Sequence, residues 1–259
     1  MKNKVAITVK GRVIDGKTSN ICVPLVAASL QDLLTEAKFV AQLQPDFIEW
    51  RVDYFDAVED ISQVLTAYAA LQEIIADFPL IVTCRDYTEG GFRPLDTKVR
   101  LAILHSLLQT AQPDFIDLEY SIDSKKLQPL KTTAKQYGVR VILSTHNFKM
   151  TPPSDVMVTT LTKMQAVGCD LVKMAVMPNS RQDVLNLLAA TLRFTEKYAQ
   201  IPCITMAMSE LGAISRIVGF YFGSAITFAA GPKASAPGQL PFSQLKALLQ
   251  SDVLFPRKT

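Results

Sequence analysis

Cysteine and histidine are scarce in this 259-residue chain, and long runs of one character are absent. The four cysteines, Cys22, Cys84, Cys169 and Cys203, stand far apart inside apolar runs, and none forms a CxxC pair. That pattern favours reduced core thiols over a disulfide framework or a zinc site. No apolar run approaches the ~18 residues of a membrane span, and the opening MKNKVAITVKGR lacks a signal-peptide core. A soluble cytoplasmic protein without a membrane partner is expected. Blocks of like charge are also missing. The 27 Lys and Arg and 24 Asp and Glu leave a formal charge of +3 spread along the chain. Such a surface does not suit nucleic acid but leaves a small anionic substrate open. Walker loops, dinucleotide fingerprints and metal-ligand spacings do not occur, so no cofactor and no metal are expected. With 49% hydrophobic residues, the composition is that of a folded chain rather than a disordered one.

What the chain does contain is a repeating unit. Short apolar, β-branched runs recur at 21–27 (ICVPLVA), 47–53 (FIEWRVD), 80–85 (LIVTCR), 115–120 (FIDLEY), 139–146 (VRVILSTH), 170–176 (DLVKMAV), 203–208 (CITMAM) and 225–230 (AITFAA). Stretches between them, such as LQDLLTEAKFVAQL and TKVRLAILHSLLQT, carry apolar residues at helical spacing. Eight strand-loop-helix units predict an α/β fold, a (β/α)8 TIM barrel. The pentapeptide QPDFI occurs at 44–48 and again at 112–116, each time as a helix exit leading into a strand. A doubly wound open sheet would carry a glycine-rich turn after its first strand, whereas PLVAASL has no glycine. Residues 1–19 do not fit the repeat. VAITV and GRVID, flanking Lys10 and Gly11, predict a β-hairpin that closes the bottom of the barrel. No linker interrupts 1–259, so one barrel domain is expected.

Side chains alternate along a strand, so the uniformly apolar alternate set faces the helices and the other set faces the lumen. This sorting points Phe47, Glu49 and Arg51 inward, with Ile81, Thr83 and Arg85; Phe115, Asp117 and Glu119; and Ile142, Ser144 and His146. It adds Leu171, Lys173, Met206, Met208, Ile226 and Phe228. The polar members lie toward the C-terminal strand ends, where barrel enzymes place their chemistry. Several unpaired ions inside a barrel would cost several kcal/mol each, so they must pair, reach water or meet a charged ligand.

Lys173, flanked by valine and methionine, is the most informative residue. In a partly apolar, cation-rich pocket a lysine can be held unprotonated and add to a ketone or aldehyde as a Schiff base; the alternative is a salt-bridged structural lysine. His146, at the end of the fifth strand, suits a proton shuttle, whereas His105 within LAILHSLL suits packing or a helix surface. Glu49, Arg51 and Arg85 fit either an internal salt-bridge ring or substrate binding. Glu89, in DYTEGG, is a loop carboxylate or the partner that orients an imidazole. Asp117 and Glu119 suit pairing with cations, and Met206 and Met208 suit packing. Arg216 alone reads as an ordinary helix arginine. AAGPKASAPGQLP, at 229–241, suits a connector or a mobile lid.

Six motifs in one order now matter together: EWRVD at 49–53, TCR at 83–85 with EGG at 89–91, STHNF at 144–148, DLVKMAV at 170–176, MAMSELGAISR at 206–216 and SAPGQL at 235–240. In these, nearly the whole chain resembles the type I 3-dehydroquinate dehydratases, the Schiff-base-forming dehydratases of the shikimate pathway. One departure is Pro24, where some members carry a serine, and it bears on a peripheral contact. The resemblance implies that Lys173 forms an imine with 3-dehydroquinate, that His146 moves the protons and that Glu89 orients it. It further implies that Arg216 clamps the substrate carboxylate and that Glu49, Arg51 and Arg85 bind the ring hydroxyls and one another. Ser235 and Gln239 would approach from the lid, and Met206, Met208 and Phe228 would wall the pocket. A homodimer is implied as well. A class I aldolase would share the barrel and the lysine but need a phosphate cup after strands seven and eight, where this chain carries one arginine among Met, Phe and Ala. A catalytically silent barrel that binds an anionic metabolite is the reading from another class, and a turnover assay separates it.

Overall fold

A computed structural model describes residues 6–251. A hairpin comes first, β1 (Ile7–Val9) and β2 (Arg12–Ile14). Eight parallel strands follow: β3 (Asn20–Leu25), β4 (Phe47–Arg51), β5 (Leu80–Thr83), β6 (Phe115–Glu119), β7 (Arg140–Asn147), β8 (Leu171–Val176), β9 (Cys203–Ala207) and β10 (Ile226–Phe228). They stand in the order β10-β3-β4-β5-β6-β7-β8-β9. A parallel bridge between Cys203 and Ser224 brings the two ends together, and the Ala225 N–H donates to the Cys203 carbonyl at 2.8 Å. The cylinder so formed is the expected TIM barrel, ringed by α1 (Leu30–Leu43), α2 (Ile61–Ile75), α3 (Thr97–Ser106), α4 (Ser124–Gln136), α5 (Ser154–Val167), α6 (Arg181–Lys197), α7 (Ser209–Val218) and α8 (Phe242–Leu249). Ser29, Asp60, Asp96, Asp123 and Ser180 each accept a first-turn N–H, which fixes where five of these helices begin. No helix among the described residues is long and apolar enough to cross a membrane.

Two apolar layers result from the alternation along each strand. Ile48, Trp50, Val82 and Leu118 face outward into the helix layer. Cys22, Phe47, Ile81, Phe115, Ile142, Leu171, Ile204 and Ile226 face inward and fill the N-terminal half of the lumen, where the Phe47 and Phe115 rings meet edge-on at 6.0 Å. The hairpin completes this floor. It turns at Lys10 (φ 43°) and Gly11 (φ 77°), the pair of positive dihedrals a two-residue turn needs, and it packs Ile7, Val9 and Ile14 against the inner cluster. Each such side chain contributes about 1.5–3 kcal/mol on burial. Val5, the first residue of the predicted hairpin, lies outside the described residues.

The QPDFI echo has a physical cause. Gln44 and Gln112 both adopt left-handed dihedrals (φ 55° and 50°) that stop the preceding helical turn. Two residues on, Asp46 accepts the Ile21 N–H and Asp114 the Leu80 N–H, each at 2.9 Å. Asp170 repeats the device on the Val141 N–H at 2.7 Å, so the aspartate that leads into one strand pins the start of its neighbour. Asp46 and Asp114 also hold the hairpin, through Arg12 at 3.1 Å and Lys10 at 2.8 Å.

Candidate active site

Above the apolar floor the inward positions turn polar, and a cavity opens at the C-terminal end of the strands. Cross-strand register assembles it. Ser144 on β7 pairs with Lys173 on β8, and His146, two residues further along, pairs with Ala175. His146 therefore stands one layer above the lysine on the adjacent strand. The Lys173 amine lies 3.0 Å from Asp117 Oδ2, 3.3 Å from Glu49 Oε1 and 4.3 Å from the centre of the Phe228 ring. It is 5% exposed, so these groups and the cavity are its surroundings.

The imidazole is held from one side. Glu89 Oε2 accepts the His146 backbone N–H at 2.9 Å and lies 3.1 Å from Nδ1, while Ser121 Oγ donates to Glu89 Oε1 at 2.6 Å. A carboxylate at Nδ1 favours the Nδ1–H tautomer, which leaves Nε2 as the proton acceptor. Burial, followed by Arg85 and Lys173, holds His146 well below the ordinary imidazole range. Burial also raises the Glu89 carboxyl, against the hydrogen bond from Ser121. The two glycines after Glu89 are required for different reasons, Gly90 by its left-handed dihedral and Gly91 by the backbone packed against it. A Cβ on Gly90 (φ +88°) would lie 2.2 Å from the Phe148 ring, and one on Gly91 would lie 2.3 Å from the Arg85 carbonyl.

The arginines do not pair with Glu49 or one another, which corrects the expected ring. Arg51 forks onto Asp53 (2.9 and 2.7 Å) and donates to the Gly90 carbonyl at 3.2 Å. Arg85 donates to Asp117 and Glu119, each at 2.9 Å, and to Ser144 at 2.8 Å. Glu49 instead faces Lys173 and accepts from Thr83 at 2.9 Å. Local geometry decides this. Asp53 lies two residues beyond Arg51, and Asp117 is the register partner of Thr83 on the strand beside Arg85, so both arginines find carboxylates nearer than Glu49. Burial would raise the Asp117 carboxyl, but Arg85 and Lys173 outweigh it and hold the group ionised. Sequence reasoning did not single out Asp53, Ser121 or Arg100. Arg100 projects inward from α3 to Glu119, and nothing in its helical pattern distinguishes it from a surface arginine.

Arg216 is different. It is 2% exposed, and its guanidinium meets only Met206 Sδ (3.4 Å) and the carbonyls of Phe228 (3.4 Å) and Pro237 (3.2 Å). Among the described residues no carboxylate forms an ion pair with it, and its Nε has no partner. Burial pulls its pKa down to about 10. Pro237 belongs to the 229–241 loop, which folds over the cavity. Within it, Gln239 Oε1 accepts the Ser235 N–H at 2.8 Å and Gln239 Nε2 donates to Ser235 Oγ at 3.1 Å. Gly238 (φ +75°) rests so near α7 that a Cβ would lie 2.0 Å from the Ser209 carbonyl oxygen.

All twelve residues assigned from sequence line this one cavity: Lys173, His146, Glu89, Glu49, Arg51, Arg85, Arg216, Ser235, Gln239, Met206, Met208 and Phe228. Pro24, in register with Glu49, is buried and does not line it. His105 is half-buried on α3 beside Thr133, away from the site. None of the four cysteines is disulfide-bonded, and burial pushes the Cys169 thiol up to about 12. Among the described residues no group of three His, Cys, Asp or Glu side chains is arranged to hold a metal.

The cavity combines a buried amine, an imidazole backed by a carboxylate and an unpaired guanidinium, a set suited to carbonyl addition, proton transfer and carboxylate binding. Residues 21–254 match the family model described as type I 3-dehydroquinase. A 3-dehydroquinate dehydratase of Bacillus licheniformis is 42% identical over 246 residues, 95% of this chain and 97% of the relative. The type I 3-dehydroquinate dehydratase of Clostridium difficile, solved with covalently modified comenic acid, superposes with a TM-score of 0.91 at 39% identity, covering 95% of this chain and 96% of that one. The Geobacillus kaustophilus 3-dehydroquinate dehydratase gives a TM-score of 0.93 at 34% identity, with 98% of each chain covered.

Proposed function

Because the chain belongs to the type I 3-dehydroquinase family, we propose that it dehydrates 3-dehydroquinate to 3-dehydroshikimate through an imine on Lys173. The Lys173 amine adds to the C3 ketone, and the carbinolamine loses water to give a protonated imine. That imine acidifies C2–H, and His146 Nε2 takes the proton while the electron pair enters a C2–C3 enamine. The enamine then forms the C1–C2 double bond and expels the C1 hydroxyl, which leaves as water with the proton returned by His146. Water finally cleaves the imine, releasing product and freeing the amine.

The remaining residues bind and orient. Glu89 keeps the imidazole in one tautomer, Arg216 takes the substrate carboxylate, and Glu49, Arg51 and Arg85 address the ring hydroxyls. Ser235 and Gln239 close from the loop above, and Met206, Met208 and Phe228 supply the apolar wall. The observation that carries this reading is Arg216, a buried cation with no anionic partner among the described residues, in the same cavity as the Lys173 amine. By the same resemblance the enzyme would serve aromatic biosynthesis through the shikimate pathway in the cytoplasm, as a homodimer that sedimentation would detect.

Borohydride reduction in the presence of 3-dehydroquinate, followed by peptide mass mapping, tests substrate, chemistry and nucleophile together. The adduct should lie on Lys173, and Lys173→Ala should be inactive but folded. A label on Lys149 or Lys163, or no label, would overturn the assignment.

A further inference from the structure

We propose that Arg100, which belongs to the helix layer outside the barrel, is a positioning residue for this reaction. It fixes Glu119 and, through Glu119, the Arg85 guanidinium and the Lys173 amine. The inference rests on the lysine-imine reading above. Arg100 does not line the cavity and is 2% exposed. Its Nη1 donates to Glu119 Oε2 at 2.5 Å and to the Cys84 carbonyl at 3.2 Å, and its Nη2 lies 3.1 Å from Asp86 Oδ2. The other Glu119 oxygen accepts from Arg85 Nη1 at 2.9 Å and from the Asp86 N–H at 3.0 Å. Arg85 passes the connection to Asp117 at 2.9 Å, and Asp117 lies 3.0 Å from the Lys173 amine.

Five buried ions of alternating sign thus run from α3 to the reacting nitrogen: Arg100, Glu119, Arg85, Asp117 and Lys173. In such a chain each ion is held by its neighbours, because an unpaired buried charge must re-aim or recruit a proton. Arg100 is the outer anchor. Among the described residues its Nε has no hydrogen-bond partner, so the side chain gives up one donor to bring its fork to Glu119. A helix arginine with only a surface role would stay in water at no such cost.

The test uses two variants of the full chain. Arg100→Lys keeps the charge but cannot satisfy Glu119, Asp86 and the Cys84 carbonyl together. Arg100→Met combined with Glu119→Gln removes both charges at similar volume and keeps a fold for measurement if the single variant unfolds. Thermal unfolding, kcat, KM, the pH profile and the yield of borohydride-trapped Lys173 adduct are compared with wild type. Folded Arg100→Lys should lose roughly 10- to 100-fold in kcat/KM, the usual scale for a residue that holds a reacting group in place. Its acidic limb should also move upward. A lysine that cannot reach all three acceptors holds its charge farther from Glu119, whose own charge would then raise Glu89 further, while Arg85, Ser121 and His146 still face that carboxylate. The folded double variant should lose at least as much. Wild-type kcat/KM and an unmoved pH profile in either folded variant would overturn the positioning role while leaving the imine reading intact. Failure of wild type to dehydrate 3-dehydroquinate would overturn both.

Discussion

Replacing Arg216 by methionine should move stability and activity in opposite directions. A guanidinium drawn by burial from its ordinary value down to about 10 carries a penalty on the order of 3 kcal/mol in its charged form. The sign follows from linkage. A cation whose folded pKa is depressed destabilises the fold at every pH below that value, and the penalty fades only as pH rises from about 10 toward the ordinary guanidinium value. At assay pH it is fully present. What the native contacts return is small, since the two carbonyls are reached at 3.2–3.4 Å, near the long limit for such bonds, and the third acceptor is a weak thioether sulfur. A methionine side chain would fill similar volume without the charge, so Arg216→Met should be as stable as wild type or more stable by about 1 kcal/mol, a rise of roughly 2–4 °C in Tm. The substrate carboxylate would then enter a buried site without its counter-ion. Losing one partner of a buried charge pair costs about 2–5 kcal/mol, or roughly 30- to 5,000-fold in kcat/KM. Thermal denaturation and the ultraviolet absorbance of the enone product measure both quantities. A variant that keeps wild-type kcat/KM but melts several degrees lower would refute the reasoning and make Arg216 a structural residue.

His146→Ala should still form the Lys173 imine but dehydrate about 10²- to 10⁴-fold more slowly, so trapped adduct should accumulate in mass spectra. Because burial depresses the His146 pKa below 6.5, the unfolded chain takes up a proton that the folded chain refuses. Stability should therefore fall as pH drops below about 6.5, by up to ~1.4 kcal/mol per pH unit, and urea midpoints should show a shallower fall in His146→Ala. The double variant Ser235→Ala, Gln239→Ala should raise KM and lose about 1–3 kcal/mol of transition-state stabilisation. Ligand should also suppress proteolysis at the exposed Lys233, and unchanged kinetics with unprotected cleavage would make the loop a connector.

The barrel was legible because each of its strands is an apolar run bounded by polar turns. The run ends were less so: Val52 continues the hydrophobic pattern of β4 but already belongs to a 3-10 turn, and β10 keeps only three residues of AITFAA. The lumen residues were readable because alternation assigns a side to Glu49, Lys173 and His146 whatever their chemistry. Alternation does not say which inward groups touch. Arg51 turns to Asp53 and Arg85 to the neighbouring strand, choices made by distances of a few ångströms that sequence order does not encode. Arg100 and Arg216 come from helices, where one arginine looks much like another until its side chain is seen crossing into the barrel.

The hydrophobic hairpin beneath the strands has a consequence for the traffic of water. The proposed reaction releases one water when the imine forms and another at dehydration, and it consumes one when the imine is hydrolysed. With Ile7, Val9 and Ile14 packed into the floor, the cavity opens at the other end of the barrel, where Ser235, Ala236 and Gln239 of the 229–241 loop line it. Substrate, product and solvent then share the end of the barrel that the loop covers. A water molecule liberated in the first step and kept beneath the loop would be available to cut the final bond. Reaction in ¹⁸O-labelled water, with the isotope read in the product ketone after a single turnover, would measure how often the enzyme reuses its own.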